Sequence, residues 1–174
     1  MTVGIPGGSP ASFSMRVSSK AHYGLRMMTE LAKGYGTGPR SLADVARVES
    51  LPMAYLEQLA GALRRGGLLL STRGASGGYS LSRPPLEISV LDIVTVVEGE
   101  VAPVECVAHD YFSGTCLREG DCASRPLWAR LKASIDSVLS QTTLAELVFD
   151  TSLVDSLAPL PMAGAPTLAE AAHV

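Results

Sequence analysis

The chain has 174 residues, of which 47% are hydrophobic, and a formal net charge of −3 at pH 7. This length can bury a core as one domain, or as one domain with an appendage. No run of about 18 apolar residues occurs, which excludes a membrane-spanning helix, and residues 1–14 lack the charged and apolar regions of a signal peptide. We therefore expect a cytoplasmic protein with reduced thiols, and the high apolar content suggests a buried subunit interface.

Charge is distributed unevenly along the chain. Residues 15–85 hold ten Lys or Arg and four Asp or Glu, whereas residues 86–174 hold four and thirteen, so the two parts carry net charges of +6 and −9. A basic first part is typical of a nucleic-acid reader joined to a second functional unit. Two solvated faces of one protein are the alternative interpretation.

Three helices are predicted between residues 18 and 65. Ser18 or Ser19 caps the first, which continues to about Lys33 and ends at a glycine-rich turn. A capping box at Ser41 opens a short second helix, and Pro52 suits the first turn of the third.

The third helix separates apolar from polar residues. Its apolar residues recur at i, i+3, i+4 and i+7 and predict one buried face, formed by Leu56, Leu59, Ala60 and Leu63. Two helices joined by a short turn, with polar residues outward on the second, are typical of a helix-turn-helix. We predict that this helix lies in the DNA major groove and that its DNA contacts come from Tyr55, Glu57, Gln58, Arg64 and Arg65.

A hairpin follows, with predicted strands at 68–72 and 79–81 and a glycine-rich tip. Glycine-rich loops also bind phosphates in nucleotide-binding enzymes, but this one joins two strands and lacks a Gly-Lys-Ser/Thr ending. We interpret the hairpin as a wing. Arg73 and Arg83 flank the tip and are predicted to contact the DNA backbone or minor groove, with solvated surface charge as the alternative.

Three more helices are predicted after the wing. Ser89 caps the first, Pro126 begins a long second one, and Thr143 opens a short last one with a capping box. Apolar residues of the long helix step by three, four and three positions, at Trp128, Leu131, Ile135 and Val138. This seam fits contact with a partner helix, or packing within the same domain.

All three cysteines lie in one loop, Cys106–Cys122, with the pattern C-x9-C-x5-C. Thiolates are the ligands that soft metals and iron–sulfur clusters select, so we predict such a centre on Cys106, Cys116 and Cys122. A cluster normally takes four ligands, so the fourth must be another residue, a small molecule or a group from a second subunit. A redox-active thiol switch, a disulfide with a spare thiol, and three inert thiols are the alternatives.

Several motifs, in order along the chain, resemble the Rrf2 family of winged-helix regulators. They are MRVSSKAHYGLR from residue 15, YLEQL from 55, LRRGGL from 63, RGASGGY from 73, the spacing Cys116-x5-Cys122-x5-Trp128, and TLAEL from 143. The match covers about residues 15–150. The family includes the iron–sulfur cluster regulator, the nitric-oxide-sensing repressor, and regulators of iron and cysteine metabolism.

The resemblance implies a mainly α fold with a small β wing. A winged helix-turn-helix domain would occupy residues 15–88 and the cysteine loop with dimerisation helices residues 89–150, between a disordered extension at 1–14 and a flexible tail at 151–174. It further implies a homodimer crossed through the long helix, a pseudo-palindromic DNA operator, and often a cluster held by the loop cysteines. One feature departs from the family: nine residues separate Cys106 from Cys116, where the best-known sensors have five.

The resemblance also suggests a fourth ligand. In several relatives it comes from the eighth residue of the amino-terminal helix of the other protomer, and counting from Met15 that residue here is His22. His109 and Asp110, inside the loop, are rivals. The cluster type, 2Fe–2S or 4Fe–4S, stays open.

The sequence therefore predicts a dimeric DNA-binding transcription factor whose cluster state changes its operator affinity. A cluster-free regulator that senses thiol oxidation or a partner protein is the first alternative. A small redox enzyme is the second, although the sequence contains no Cys-x-x-Cys, nucleotide motif or base–nucleophile pair to support it.

Overall fold

The structure is a computed structural model that describes residues 18–74 and 76–149. The predicted extension at 1–14 and tail at 151–174 lie outside these residues. The helices and strands are α1 (Ser19–Lys33), α2 (Leu42–Glu49), α3 (Met53–Arg65), β1 (Leu69–Thr72), β2 (Gly78–Leu81), α4 (Val90–Glu98), α5 (Arg125–Gln141) and α6 (Leu144–Phe149). The two strands pair antiparallel, so the predicted mainly α fold with a small β wing is confirmed. None of the described helices is long and apolar enough to cross a membrane.

Side-chain caps set several helix starts at the predicted residues. Ser18 accepts hydrogen bonds from two amides of α1, and Ser41 accepts one from the amide of Asp44. A complete capping box starts α4, in which Ser89 and Asp92 bond each other's main chain at 3.1 and 3.0 Å. The start of α3 differs by one position, because Pro52 has an extended ψ of 130° and is the cap residue rather than part of the first turn.

The main core lies between α1, α2, α3, α4, the wing and α6. Met27 and Met28 of α1 are fully buried there, and so are Leu56 and Leu63 of α3. All four residues of the predicted apolar face of α3 are buried. This burial fixes which face of α3 points outward.

A polar contact with α1 holds the turn between α2 and α3. The guanidinium of Arg26 donates to the Glu49 carboxylate at 2.8 Å and also to the Glu49 carbonyl oxygen at the end of α2. Ser50, the next residue, has a left-handed φ of 52°, which reverses the chain direction before α3. The helix-turn-helix is therefore positioned by both apolar packing and an ion pair.

The long helix α5 packs differently from the others. None of its 17 residues is buried in the described chain, although Trp128, Leu131 and Ile135 are half-buried. Val138 is 63% exposed and Leu127 is 59% exposed. The predicted apolar seam is therefore only partly covered by the described residues of the helix's own chain.

Candidate DNA-binding surface and cysteine loop

The outward face of α3 is polar. Glu57 and Gln58 are exposed in the middle of the helix, and Arg64 and Arg65 are exposed at its end. Tyr55 is half-buried, and its ring packs edge-on against that of Tyr23 with centroids 5.6 Å apart. Tyr55 therefore lies at the border between the core and the open face, whereas the other four predicted contacts are freely accessible.

The wing brings Arg73 and Arg83 to different surroundings. Arg73 is exposed beside the tip, where residue 75 is not described. Arg83 donates to the Asp92 carboxylate at 3.0 Å and to the carbonyl oxygen of Glu87 at 2.9 Å. Arg73 is thus available to a ligand, while Arg83 is bound to its own chain.

The three thiols are free and accessible but not assembled. No disulfide joins them; Cys116 is exposed, and Cys106 and Cys122 are half-buried. Within the described residues, no three His, Cys, Asp or Glu side chains are grouped so that they could hold a metal ion. The donor set fits a soft metal or an iron–sulfur cluster in kind, since it offers three thiols on one loop, but its members must converge to bind one.

The candidate fourth ligands are likewise not grouped with the thiols in the described residues. His22 is exposed on α1, and His109 and Asp110 are exposed in the loop. The main-chain amide of His109 donates to the Glu100 carboxylate at 2.7 Å. None of the three belongs to a metal-binding group in the described part of a single chain.

The carboxylate of Glu119 is the centre of the loop's hydrogen bonding. It accepts from the amide of Gly114 at 2.6 Å, the hydroxyl of Ser113 at 2.7 Å and the hydroxyl of Tyr111 at 3.4 Å. The guanidinium of Arg125, in the first turn of α5, lies 3.6 Å away. The hydrogen bonds from Gly114 and Ser113, more than the nearby Arg125 charge, hold the pKa of Glu119 below its ordinary value.

A second carboxylate, that of Glu100, connects the segment just before the loop to α5. Glu100 lies 2.8 Å from Lys132, which also binds Asp136 at 2.7 Å. Hydrogen bonds from Lys132 and from the His109 amide lower the pKa of Glu100, and those to Asp136 and Glu100 raise the pKa of Lys132. Two cations of α5, Arg125 and Lys132, thus connect this segment to the long helix.

Cys122 is distinct among the thiols. Its sulfur lies 3.3 Å from the hydroxyl of Ser124. Hydrogen bonds from the Ser124 side chain, and then from the amides of Ser124 and Arg125, lower the pKa of Cys122, with a smaller contribution from the charge of Arg118. This environment favours the thiolate, which is the form that binds metals and reacts with oxidants.

Sequence reasoning did not identify Glu119, Tyr111 or Lys132 as organising residues. The partners of Glu119 lie five, six and eight positions before it, in a segment without helical or strand periodicity. The pair of Lys132 and Asp136 at i, i+4 is a recognisable helix signal, but its link to Glu100 is not.

Known proteins of similar sequence are described as transcriptional regulators. The Rrf2 family model, described as an iron-dependent transcriptional regulator, matches residues 17–150. The transcriptional regulator CymR of Bacillus subtilis (strain 168) is 43% identical over 133 residues, covering 76% of this chain and 89% of CymR. Both descriptions concern transcriptional regulation, which confirms the prediction that the chain is not an enzyme.

Two solved structures resemble the chain over most of their length. One is CymR (YrzC), described as the global cysteine regulator of B. subtilis, with a TM-score of 0.66 and 41% identity over 78% of this chain and 97% of that one. The other is T. potens IscR, with a TM-score of 0.62 and 38% identity over 82% of this chain and 89% of that one.

Proposed function

The chain belongs to the Rrf2 family of transcriptional regulators, and on that premise we propose that it acts in the cytoplasm as a homodimer on a pseudo-palindromic DNA operator, with the cysteine loop controlling its affinity. The separation of apolar and polar faces on α3 supports the DNA-binding part of this proposal. Its apolar face is committed to the core, so Glu57 and Gln58 are left facing outward at the centre of the helix. A side chain that reads a base edge must be both rigidly mounted and exposed, and these two are.

The proposed DNA contacts divide into two kinds. Gln58 can pair with adenine, and Glu57 can accept a hydrogen bond from cytosine N4. Arg64, Arg65 and Arg73 are exposed cations at the rim of the same surface and suit phosphates. Tyr55, which borders the core, and Arg83, which is bound to Asp92, are the less accessible members of the proposed set.

The homodimer is proposed to form through α5. A helix of 17 residues spans roughly 25 Å, and in this one the apolar seam from Trp128 to Val138 is left half-buried or exposed. Two copies related by a two-fold axis would cover each other's seam. The same axis would place the two copies of α3 about one DNA turn apart, or a multiple of it.

Cys106, Cys116 and Cys122 are proposed to hold an iron–sulfur cluster as thiolates, of the 2Fe–2S or 4Fe–4S type, with His22 of the partner subunit as the fourth ligand. The iron-dependent description of the family and the three accessible thiols support this assignment. Cys106, Cys116 and Cys122 would hold the cluster, which would supply a redox-active centre in the loop. The acidic, exposed surroundings of the loop suit a labile sensor more than an electron carrier.

Arg125 connects α5, the proposed dimer helix, to the cysteine loop, and Lys132 connects it to the segment just before the loop. Arg125 lies beside the Glu119 carboxylate, and Lys132 binds that of Glu100. A change in loop geometry therefore alters contacts of α5, on which the spacing of the two α3 helices depends. Operator affinity changes only as far as the two loop states favour different dimer geometries.

A cluster-free thiol sensor is the second candidate. Two observations favour it: the thiols are not grouped in the described chain, and the pKa of Cys122 is lowered by Ser124 and neighbouring amides. A thiolate of this kind reacts readily with oxidants. The relative described as a global cysteine regulator is also compatible with sulfur-linked control.

Iron and sulfide analysis of anaerobically purified protein, with its ultraviolet-visible spectrum, distinguishes the two candidates. We expect both elements in wild type and their loss when Cys106, Cys116 or Cys122 is replaced by serine. Operator DNA selected from a random pool should then bind the loaded and cluster-free forms unequally. Absence of iron and sulfide after reconstitution would reject the cluster, and operator binding that responds to peroxide would then support the thiol sensor. A spectrum unchanged in His22→Ala would reject only the fourth ligand.

A further inference from the structure

Glu119 lies outside the nine-residue interval between Cys106 and Cys116 but binds three groups within it. The Glu119 carboxylate gathers the Gly114 amide, the Ser113 hydroxyl and the Tyr111 hydroxyl, all of which belong to this nine-residue interval. Its side chain is only 17% exposed, and Arg125 of α5 faces it at 3.6 Å. A carboxylate with three donors and a cation around it is a satisfied, well-anchored group.

The same network fixes the main chain on both sides of Cys116. The amide of Cys116 donates to the Tyr111 hydroxyl at 3.1 Å, and its carbonyl oxygen accepts from the Glu119 amide at 3.1 Å. In this arrangement the Cys116 thiol is exposed and is not grouped with Cys106 and Cys122. A shift of the Cys116 main chain that brings this thiol toward the other two would strain or break these bonds.

We propose that Glu119 is a latch that holds the cysteine loop closed with its thiols apart, and that the latch must open before the thiols can converge on one metal centre. The inference rests on the proposed function, because it concerns how the loop comes to bind its metal centre. The closed loop and the metal centre compete for the same segment. The apparent metal affinity of the loop is therefore its intrinsic affinity multiplied by the fraction of molecules with an open loop. By reciprocity, a bound centre disfavours the closed form.

The latch can be tested without any metal. Amide hydrogen exchange is measured at Gly114 and Cys116 in the reduced, metal-free full chain. Glu119→Ala should accelerate exchange at both amides by about tenfold or more, because both lose their protected environment. Tyr111→Phe should do so mainly at Cys116, whose acceptor it removes. Glu105→Ala is the matched control, since it removes an exposed carboxylate near Cys106 and should change neither amide. Unchanged protection in Glu119→Ala would overturn the latch.

Competition with a metal centre is tested by anaerobic titration with Co²⁺, whose coordination by thiolates gives charge-transfer absorption. Glu119→Ala should bind Co²⁺ about three- to tenfold more tightly than wild type and Glu105→Ala, because no closed form opposes convergence. Equal affinities would overturn the inference. Weaker binding would also overturn it, since Glu119 would then support metal binding rather than oppose it.

The two assays separate the inference from the function on which it rests. If Glu119→Ala accelerates exchange at the two amides but neither protein binds Co²⁺ or a cluster, the metal-binding function fails. The proposed competition between the closed loop and a metal centre is then refuted as well. If both proteins bind the metal equally and the amides are unaffected, the metal-binding function stands and the latch is refuted.

Discussion

Arg40 joins the wing to the first helix through Glu30. Its guanidinium lies 2.6 Å from the Glu30 carboxylate and 3.0 Å from the Glu30 carbonyl oxygen, while its main chain pairs with Tyr79 of β2 at 2.9 and 2.8 Å. A Cβ at residue 78 would overlap the carbonyl oxygen of Arg40, so Gly78 allows this close approach. One ion pair, two main-chain hydrogen bonds and one glycine therefore help to position the wing relative to α1, in addition to the shared core.

Replacing Glu30 by glutamine should destabilise the fold and make the loss depend on pH. Burial raises the pKa of Glu30, but hydrogen bonds from Lys33 and Arg40 outweigh it, so the pKa lies below the ordinary 4.5. A lowered folded-state pKa means that the carboxylate stabilises the fold above about pH 4.5 and that this contribution is lost as pH falls through the folded-state value. We expect Glu30→Gln to lower the unfolding free energy by roughly 1–3 kcal/mol at neutral pH.

Urea denaturation of wild type and Glu30→Gln at several pH values checks this expectation. The difference between the two proteins should shrink on acidification below about pH 4.5. Glu105→Gln replaces an exposed carboxylate outside this network and is the matched control, expected to change little. A difference that persists unchanged into acid would show that the charge of Glu30 is not what stabilises the wing.

Much of this architecture was accessible from sequence because its causes are local. Ser89 and Asp92 cap α4 from three residues apart, and the buried face of α3 repeats with the helical period. The pairs Glu30–Arg40 and Glu119–Gly114 were not accessible. They join segments whose approach is set by the packing of the whole chain, and neither residue spacing follows a periodic pattern.

For the candidate site, the sequence supplies only residue types and their spacing. It predicts the three cysteines as ligands because they share one loop, and that assignment stays a prediction. It did not indicate that the three thiols are not grouped in the described residues, nor the hydrogen bonds of Tyr111 and Glu119, which follow no periodic pattern.

Glu57→Ala should change which DNA sequences are preferred more than it changes general DNA affinity. Glu57 is exposed on α3, where a carboxylate can accept from cytosine N4. One such contact is worth about 1–3 kcal/mol of discrimination between bases. Competitive binding to operator and random duplexes measures this effect, and an equal loss on both would contradict the assignment.

Arg73→Ala should weaken binding to all duplexes and flatten its salt dependence. A phosphate contact contributes to counterion release, so the slope of log affinity against log salt should fall by about 1 for each protomer. Arg83→Ala is the informative comparison, because Asp92 and Glu87 already hold Arg83, and its slope should change less. An unchanged slope in Arg73→Ala would remove Arg73 from the DNA contacts.

Ile135→Glu should separate the proposed dimer. Ile135 lies in the half-buried seam of α5, and a charge there would be buried between two copies of the helix. We expect the dimer dissociation constant to rise by about 100-fold or more, with helicity retained. Sedimentation velocity across concentrations measures this, with Ser134→Glu on an exposed position of α5 as the control. Equal behaviour of the two variants would exclude the seam as the interface.

Cys122 should be alkylated at lower pH than an unperturbed thiol. The Ser124 hydroxyl, then the amides of Ser124 and Arg125, hold the pKa of Cys122 below the ordinary 9.0, so its reactive thiolate forms at lower pH. Rates of iodoacetamide labelling against pH, read by mass spectrometry on reduced, cluster-free protein, give the midpoint directly. Ser124→Ala should move the Cys122 midpoint upward, because the largest contribution to the lowered pKa is removed. Thr115→Ala, beside Cys116, should leave it in place, and a midpoint that does not respond to Ser124→Ala would show that Ser124 does not stabilise this thiolate.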